Sequence, residues 1–109
     1  MTKQEIIDTI NKKFKGKADG IHGCVYLNNK GKKCVIGIFI PDGHPGQQEE
    51  DLGVLGLLEK YPELIREMPS DNFELLEKFQ SVHDTLDDTL SIGSQKGILI
   101  QFVNRNFKE

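Results

Sequence analysis

Tryptophan is absent from the 109-residue chain, and cysteine occurs only twice. Two cysteines cannot build the dense disulfide framework of a small secreted domain, so the fold must rest on an apolar core. A chain of this length can supply one, because the need for disulfides or metal usually arises below about 40 residues. No apolar run approaches the ~18 residues of a membrane span. The stretch MTKQEIIDTINKKF lacks the apolar centre and small-residue cleavage site of a signal peptide. A cytoplasmic protein with reduced thiols is therefore expected. Repeats, low-complexity tracts and linkers are missing too, so residues 1–109 read as a single domain. An excess of positive charge is also missing: 14 Lys and Arg stand against 17 Asp and Glu, a net charge of −3. General nucleic-acid binding needs a basic field to displace counterions from phosphates, so it is not expected. A local basic cluster does exist, with Lys12, Lys13, Lys15 and Lys17 followed by Lys30, Lys32 and Lys33. It reads either as a solvated face or as a contact for a phosphate-bearing partner. Walker A, GxGxxG and GxSxG sequences are absent.

What is present begins with a helix signal. Thr2-Lys3-Gln4-Glu5 matches a capping box, in which Thr2 caps and Glu5 reaches back. Ile6, Ile7, Ile10 and Phe14 follow at helical spacing and Gly16 suits the end, which predicts a helix over about 3–15. The stretch GCVYLNNKGKKCVIGIFI predicts a β-hairpin, with strands over 24–27 and 33–40 and Asn28-Asn29-Lys30-Gly31 as the turn. The second strand is apolar on both faces from Cys34 on, so helices should cover both sides of a small sheet. Pro41-Asp42-Gly43 stops it. Gly37 inside a strand implies close packing or a bulge, the favoured account, or a ligand against bare backbone. Residues 47–51 are polar and acidic, as a helix start prefers. Leu52, Leu55, Leu58 and Tyr61 then form a helical stripe, closed by Pro62. Gly53 and Gly56 on one side of it suit a close approach to the hairpin. Residues 62–68 read as a short helical turn. Asp71-Asn72-Phe73-Glu74 starts a helix over about 72–86, whose Leu75, Leu76, Phe79, Val82 and Leu86 make the clearest amphipathic pattern. In the last segment Leu99, Phe102, Val103 and Phe107 fit a helix after a Ser94 cap, the favoured reading. The alternating Ile98, Ile100 and Phe102 leave a third strand open. The fold class expected is α+β, a small β-hairpin or two- or three-stranded sheet packed with about four helices. Its core should include Ile6, Ile10, Phe14, Val25, Ile36, Ile38, Leu55, Leu58, Leu76, Phe79 and Val82.

Cys24 and Cys34 face one another if the hairpin register holds, since opposed β-carbons lie ~5 Å apart. They read first as two small buried hydrophobes. Zinc ligation with His22, His44 or His83 is an alternative, and a redox pair is a third, although CxxC spacing is absent. A Cys-His-Asp hydrolase needs a thiolate, an imidazole beside it and a carboxylate that orients the ring. The catalytic candidates are Cys34, His83 and Asp42, with Cys24, His44 and Asp84 as substitutes. Each carboxylate and imidazole also has a plain structural account. Asp42 completes a Pro-Asp-Gly turn, His44 sits in a loop, and His83 near a helix C-terminus suits the helix dipole. If His83 faces the hairpin, it can donate to Asp42 or to a bound anion. A ligand site there would draw on Cys24, Tyr26, Lys32, Gly37, Asp42, His83 and Asp84. Lys33 and the amides near Gly37 or Gly43 would help to hold an anion. Three histidines are too few for a His-Asp metal phosphohydrolase. No resident cofactor is implied.

Taken together, Cys24-x-Tyr26, Gly31-x-x-Cys34-x-Ile36-Gly37-x-x-Ile40-Pro41-Asp42 and Gln80-x-x-His83-Asp84 form a combined pattern. It resembles that of a family of small uncharacterised proteins found in phages, prophages and bacteria. The resemblance runs from about Cys24 to Asp84. Family members often carry Cys after Ile-Gly, where this chain has Ile38, which puts a family-wide cysteine metal site in doubt. The resemblance implies a phage or prophage setting and no particular mechanism. The expected function is a non-catalytic binding protein that modulates a host process, by inhibiting a host protein or sequestering a small signalling nucleotide. The alternatives are a small Cys-His-Asp hydrolase and a zinc-stabilised interaction module. The partner expected is a host protein or a small anionic ligand, without a membrane, and self-association stays open.

Overall fold

The capping box at the start of the chain sets the first helix. The computed structural model describes residues 1–18, 26–28, 31–49 and 52–107. Thr2 Oγ1 accepts the Glu5 N–H at 3.1 Å, and Glu5 Oε1 accepts the Thr2 N–H at 2.8 Å, which opens α1 (Lys3–Lys13). Ile6 and Ile10 point inward from it. Further along come α2 (Val54–Lys60), α3 (Phe73–Asp84) and α4 (Ile92–Asn106). Short 3-10 turns cover Gly37–Phe39, Pro45–Gln48 and Pro62–Glu67. α4 lies against both α1 and α3, while α2 packs on α3, and α1 covers the 37–39 turn. Phe79 of α3 stacks on Phe102 of α4 with centroids 5.3 Å apart, and Phe107 meets both rings edge-on.

The expected α+β class is overturned. The described residues are 60% helix and 2% strand, and they contain no sheet, only one isolated antiparallel bridge between Leu27 and Lys33. At the edges of the predicted turn, whose Asn29 and Lys30 lie outside the described residues, Asn28 N–H donates to the Lys32 carbonyl at 2.9 Å, and Gly31 takes a φ of 80°. Pairing stops there. From Cys34 the chain curls, with Ile38 N–H bonded to Cys34 O, Phe39 N–H to Ile36 O and Ile40 N–H to Gly37 O at 3.0–3.1 Å. A short run apolar on both sides fits a buried helical turn as well as a buried strand. Here the local turn satisfies the backbone, and residues 34–40 are all buried. Half of the first predicted strand, Cys24 and Val25, lies outside the described residues.

Other expectations shift by smaller amounts. α3 is capped by the Asn72 side chain, which accepts the Leu75 N–H at 3.1 Å. Ser91, three residues before Ser94, caps α4, and the last segment is helix rather than strand. Ile6, Ile10, Phe14, Ile36, Ile38, Leu58, Leu76 and Phe79 are buried. Val82 is half-buried and Leu55 is exposed, because α2 begins at Val54 and turns Val54, Leu57 and Leu58 inward. A β-carbon at Gly56 would crowd the side chain of Leu52, which precedes α2, and this contact rather than the hairpin accounts for the glycine.

Gly37 is where two segments cross. A β-carbon added there would stand 2.1 Å from the Tyr26 carbonyl oxygen. Backbone cannot yield as a side-chain tip can, so Gly37→Ala should cost at least about 1–3 kcal/mol. Gly97, inside α4, has nothing within 4 Å of such a β-carbon. Gly97→Ala should stabilise by up to about 1 kcal/mol. Urea melts of the two variants against the parent chain check the opposite signs.

Candidate functional site

α3 presents Gln80, His83 and Asp84 to a buried polar seam. Gln80 Oε1 accepts the Ile36 N–H at 3.2 Å, and Gln80 Nε2 donates to Asp84 Oδ1 at 3.2 Å. The same carboxylate oxygen lies 3.0 Å from His83 Nδ1. On the other side of the ring, His83 Nε2 accepts the Ala18 N–H at 3.1 Å. A nitrogen that accepts a backbone N–H carries no proton, so the ring is the Nδ1–H tautomer and donates to Asp84. Phe14 closes the ring's edge at 6.1 Å between centroids, and His83 is 1% exposed. Cys34 joins the seam through its sulfur, which accepts the Gly37 N–H at 3.2 Å. Burial pushes the Cys34 thiol up to about 12, against the opposing pull of hydrogen bonds from Gly37, Ile36 and Gln80. Among the described residues, no buried side-chain nitrogen or oxygen lacks a hydrogen-bond partner.

Of the other candidate residues, Tyr26 meets the seam through its backbone at Gly37, and Lys32, Asp42 and His44 make their contacts elsewhere. Tyr26 is buried and its hydroxyl donates to the Leu52 carbonyl at 2.5 Å. Lys32 N–H donates to Asn28 Oδ1 at 2.9 Å, so its backbone braces the turn. Asp42 is exposed and pairs with Lys33 Nζ at 2.5 Å. The hydrogen bond and charge of that ammonium hold the Asp42 carboxyl below its ordinary range. His44 Nδ1 accepts the Gly46 N–H at 2.9 Å, and its ring meets Tyr61 edge-on at 5.1 Å. His44 Nε2 lies 3.5 Å from Glu63 Oε1. Cys24 and His22 lie outside the described residues. The structure thus links Cys34, Gly37, His83 and Asp84, and it gives His83 the neighbouring Asp84 as its carboxylate while Asp42 takes Lys33. Among the described residues, no group of three or more His, Cys, Asp or Glu side chains can hold a metal ion.

Sequence reasoning gave no role to three glutamines that do similar work. Gln80 ties α3 to the 34–40 segment. Gln95 Oε1 accepts the Lys17 N–H at 2.8 Å while its Nε2 donates to the Leu90 carbonyl at 3.0 Å. Gln47 Nε2 donates to the Ile40 carbonyl at 3.2 Å. All three are buried. The available signal was position: Gln80 follows Phe79 on the apolar stripe of α3, and Gln95 sits one turn before Leu99. A polar residue on such a stripe is usually there to satisfy buried backbone. Two lysines act comparably at helix ends. Lys17 Nζ donates to the Asp84 and Leu86 carbonyls at 2.8 and 3.0 Å, and Lys96 Nζ to the Asn11 carbonyl at 2.8 Å.

Comparison of the chain with protein-family models, with curated proteins and with solved structures returned no match.

The seam's chemistry makes Gln80 the residue whose loss exposes its purpose. Gln80→Met keeps the volume but leaves the Ile36 N–H without an acceptor in the core. A buried unsatisfied donor costs about 1–3 kcal/mol. An unfolding free energy lowered by that amount in a denaturant melt, with helix content retained in circular dichroism, is the expected outcome.

Proposed function

We propose that the chain is a non-catalytic binding protein, a phage- or prophage-encoded modulator of a host process. The observation that carries this reading is the state of Cys34. A nucleophilic cysteine needs thiolate character and access to substrate. Cys34 is fully buried, its thiol is held in the neutral form, and its sulfur is occupied by the Gly37 N–H. His83, the imidazole of the same seam, has both ring nitrogens committed. Cys34, Gln80 and His83 of the combined pattern are therefore buried and engaged in hydrogen bonds within the fold, which favours recognition at the exterior. The phage setting rests on the resemblance of the pattern alone. Inhibition of a host protein is supported by the apolar side chains that reach solvent, Leu55, Phe73, Leu90, Ile92 and Ile98. Sequestration of a nucleotide is supported by the exposed Lys12, Lys13 and Lys15 at the end of α1. No helix among the described residues is long and apolar enough to cross a membrane.

Two measurements separate these readings. Iodoacetamide at neutral pH should leave Cys34 unmodified in the folded chain and label it after denaturation. Mapping of the label by mass spectrometry checks this, and rapid native labelling would return the thiol-hydrolase reading to contention. Native mass spectrometry of the freshly purified chain against a panel of cyclic and linear signalling nucleotides should show a bound adduct if the protein sequesters one. The bare chain mass throughout would remove that version and leave a macromolecular partner.

A further inference from the structure

The segment that follows α1 is pinned to the molecule by four hydrogen bonds. Lys17 N–H reaches Gln95, Lys17 Nζ reaches the Asp84 and Leu86 carbonyls, and Ala18 N–H reaches His83 Nε2. Only the last of these depends on the protonation of its acceptor. An imidazole that takes a second proton becomes a donor at both nitrogens. Its Nε2–H would then point at the Ala18 N–H in a place sealed by Phe14, where the ring is 1% exposed. Two donors face to face in a buried site cannot both be satisfied, so the charged ring and the docked Ala18 are mutually exclusive.

The surroundings decide which side gives way. The charged ring keeps its bond to Asp84, a carboxylate whose side chain is 51% exposed and so remains solvated. In the same segment the Lys17 ammonium is held over the Asp84 carbonyl, and Asp87 interacts with Lys17. α1 contributes the uncharged Phe14 ring, the 34–40 segment the neutral Cys34 thiol, and α4 the uncharged Gln95 amide. Asp84 therefore has a reason to hold the imidazolium, and a second cation beside Lys17 disfavours the docked segment. We propose that His83 is an acid-operated latch: proton uptake at Nε2 releases Ala18 from α3 while the His83–Asp84 contact stays closed. The device is built into the fold and does not depend on the binding function proposed above.

The sign follows from linkage. Docking is complete where the ring is neutral and weakens as pH falls, by about tenfold in the docking equilibrium for each pH unit below the imidazole midpoint. The test is amide hydrogen exchange of the 15N-labelled full chain, read residue by residue from about pH 8 to pH 5 and corrected for intrinsic exchange. The His83 ring is followed in the same samples through its Cε1–H resonance. The expected result is loss of Ala18 protection with the same midpoint as the ring, while the Leu76 amide inside α3 keeps its protection. His83→Gln offers an untitratable carbonyl oxygen to Ala18, and its Ala18 protection should no longer depend on pH. Ala18 protection that stays constant while the ring takes its proton overturns the latch. A ring that takes its proton only when Leu76 and Ala18 lose protection together overturns it equally, because then global unfolding and not local release admits the proton. If His83→Gln fails to fold, the titration of the parent chain still decides between these outcomes.

Discussion

Everything in this molecule is arranged around one requirement: a backbone turn buried in an apolar core must have its N–H groups answered. Residues 34–40 are wholly buried, so water cannot serve them. Part of the answer is local, through the hydrogen bonds of the 37–39 turn. For Ile36 and Gly37 the answer comes from Gln80, which accepts the Ile36 N–H, and from the Cys34 sulfur, which accepts the Gly37 N–H. Once Gln80 is committed on one side, its amide nitrogen needs an acceptor, and Asp84 provides it. Asp84 in turn orients His83, and His83 fixes Ala18. A single seam of polar groups thus runs from the middle of the core to the half-exposed Asp84 carboxylate. Buried polar networks stabilise only when every member is satisfied, and this one is satisfied throughout.

The helices were legible because their signals are local. The Thr2–Glu5 box and the Leu76–Phe79 stripe each act within a few residues, and α1 and α3 stand close to where those residues put them, whereas α4 starts from Ser91, three residues before the expected Ser94 cap. The 33–40 run was misread because its information is not local. Apolar residues on both faces say that the segment is buried, but they leave its conformation to whatever backbone partners the fold supplies. Those partners are Gln80, far along the chain, and the Tyr26 carbonyl, which presses on Gly37. The same distinction explains the site. Cys34, Gly37, His83 and Asp84 drew notice as residue types, yet the pairing of His83 with Asp84 instead of Asp42 depends on where α3 lies. Gln80 drew none as a chemical group, since an amide has no catalytic reputation.

The pattern of Cys34-x-Ile36-Gly37 with Gln80-x-x-His83-Asp84 therefore has a physical meaning that does not require a reaction. Its members are neighbours because they satisfy one another's hydrogen-bonding groups. The lysines extend the principle to the helix ends, where Lys17 and Lys96 serve the exposed carbonyls of α3 and α1 from other elements. Part of the molecule's positive charge is spent internally in this way, as is Lys33 on Asp42.

The long reach of the glutamine and histidine contacts bears on how the chain folds. Ile36 and Gln80 are 44 residues apart, Ala18 and His83 are 65, and Lys17 and Gln95 are 78. Helices form within microseconds from nearby residues, whereas contacts across such separations wait for loop closure. The polar seam should close late, after apolar collapse has brought α1, α3 and α4 together. Interactions made after the transition state govern how fast a protein comes apart more than how fast it assembles. The seam is in that sense a lock on the finished molecule, and its contribution is to native-state lifetime.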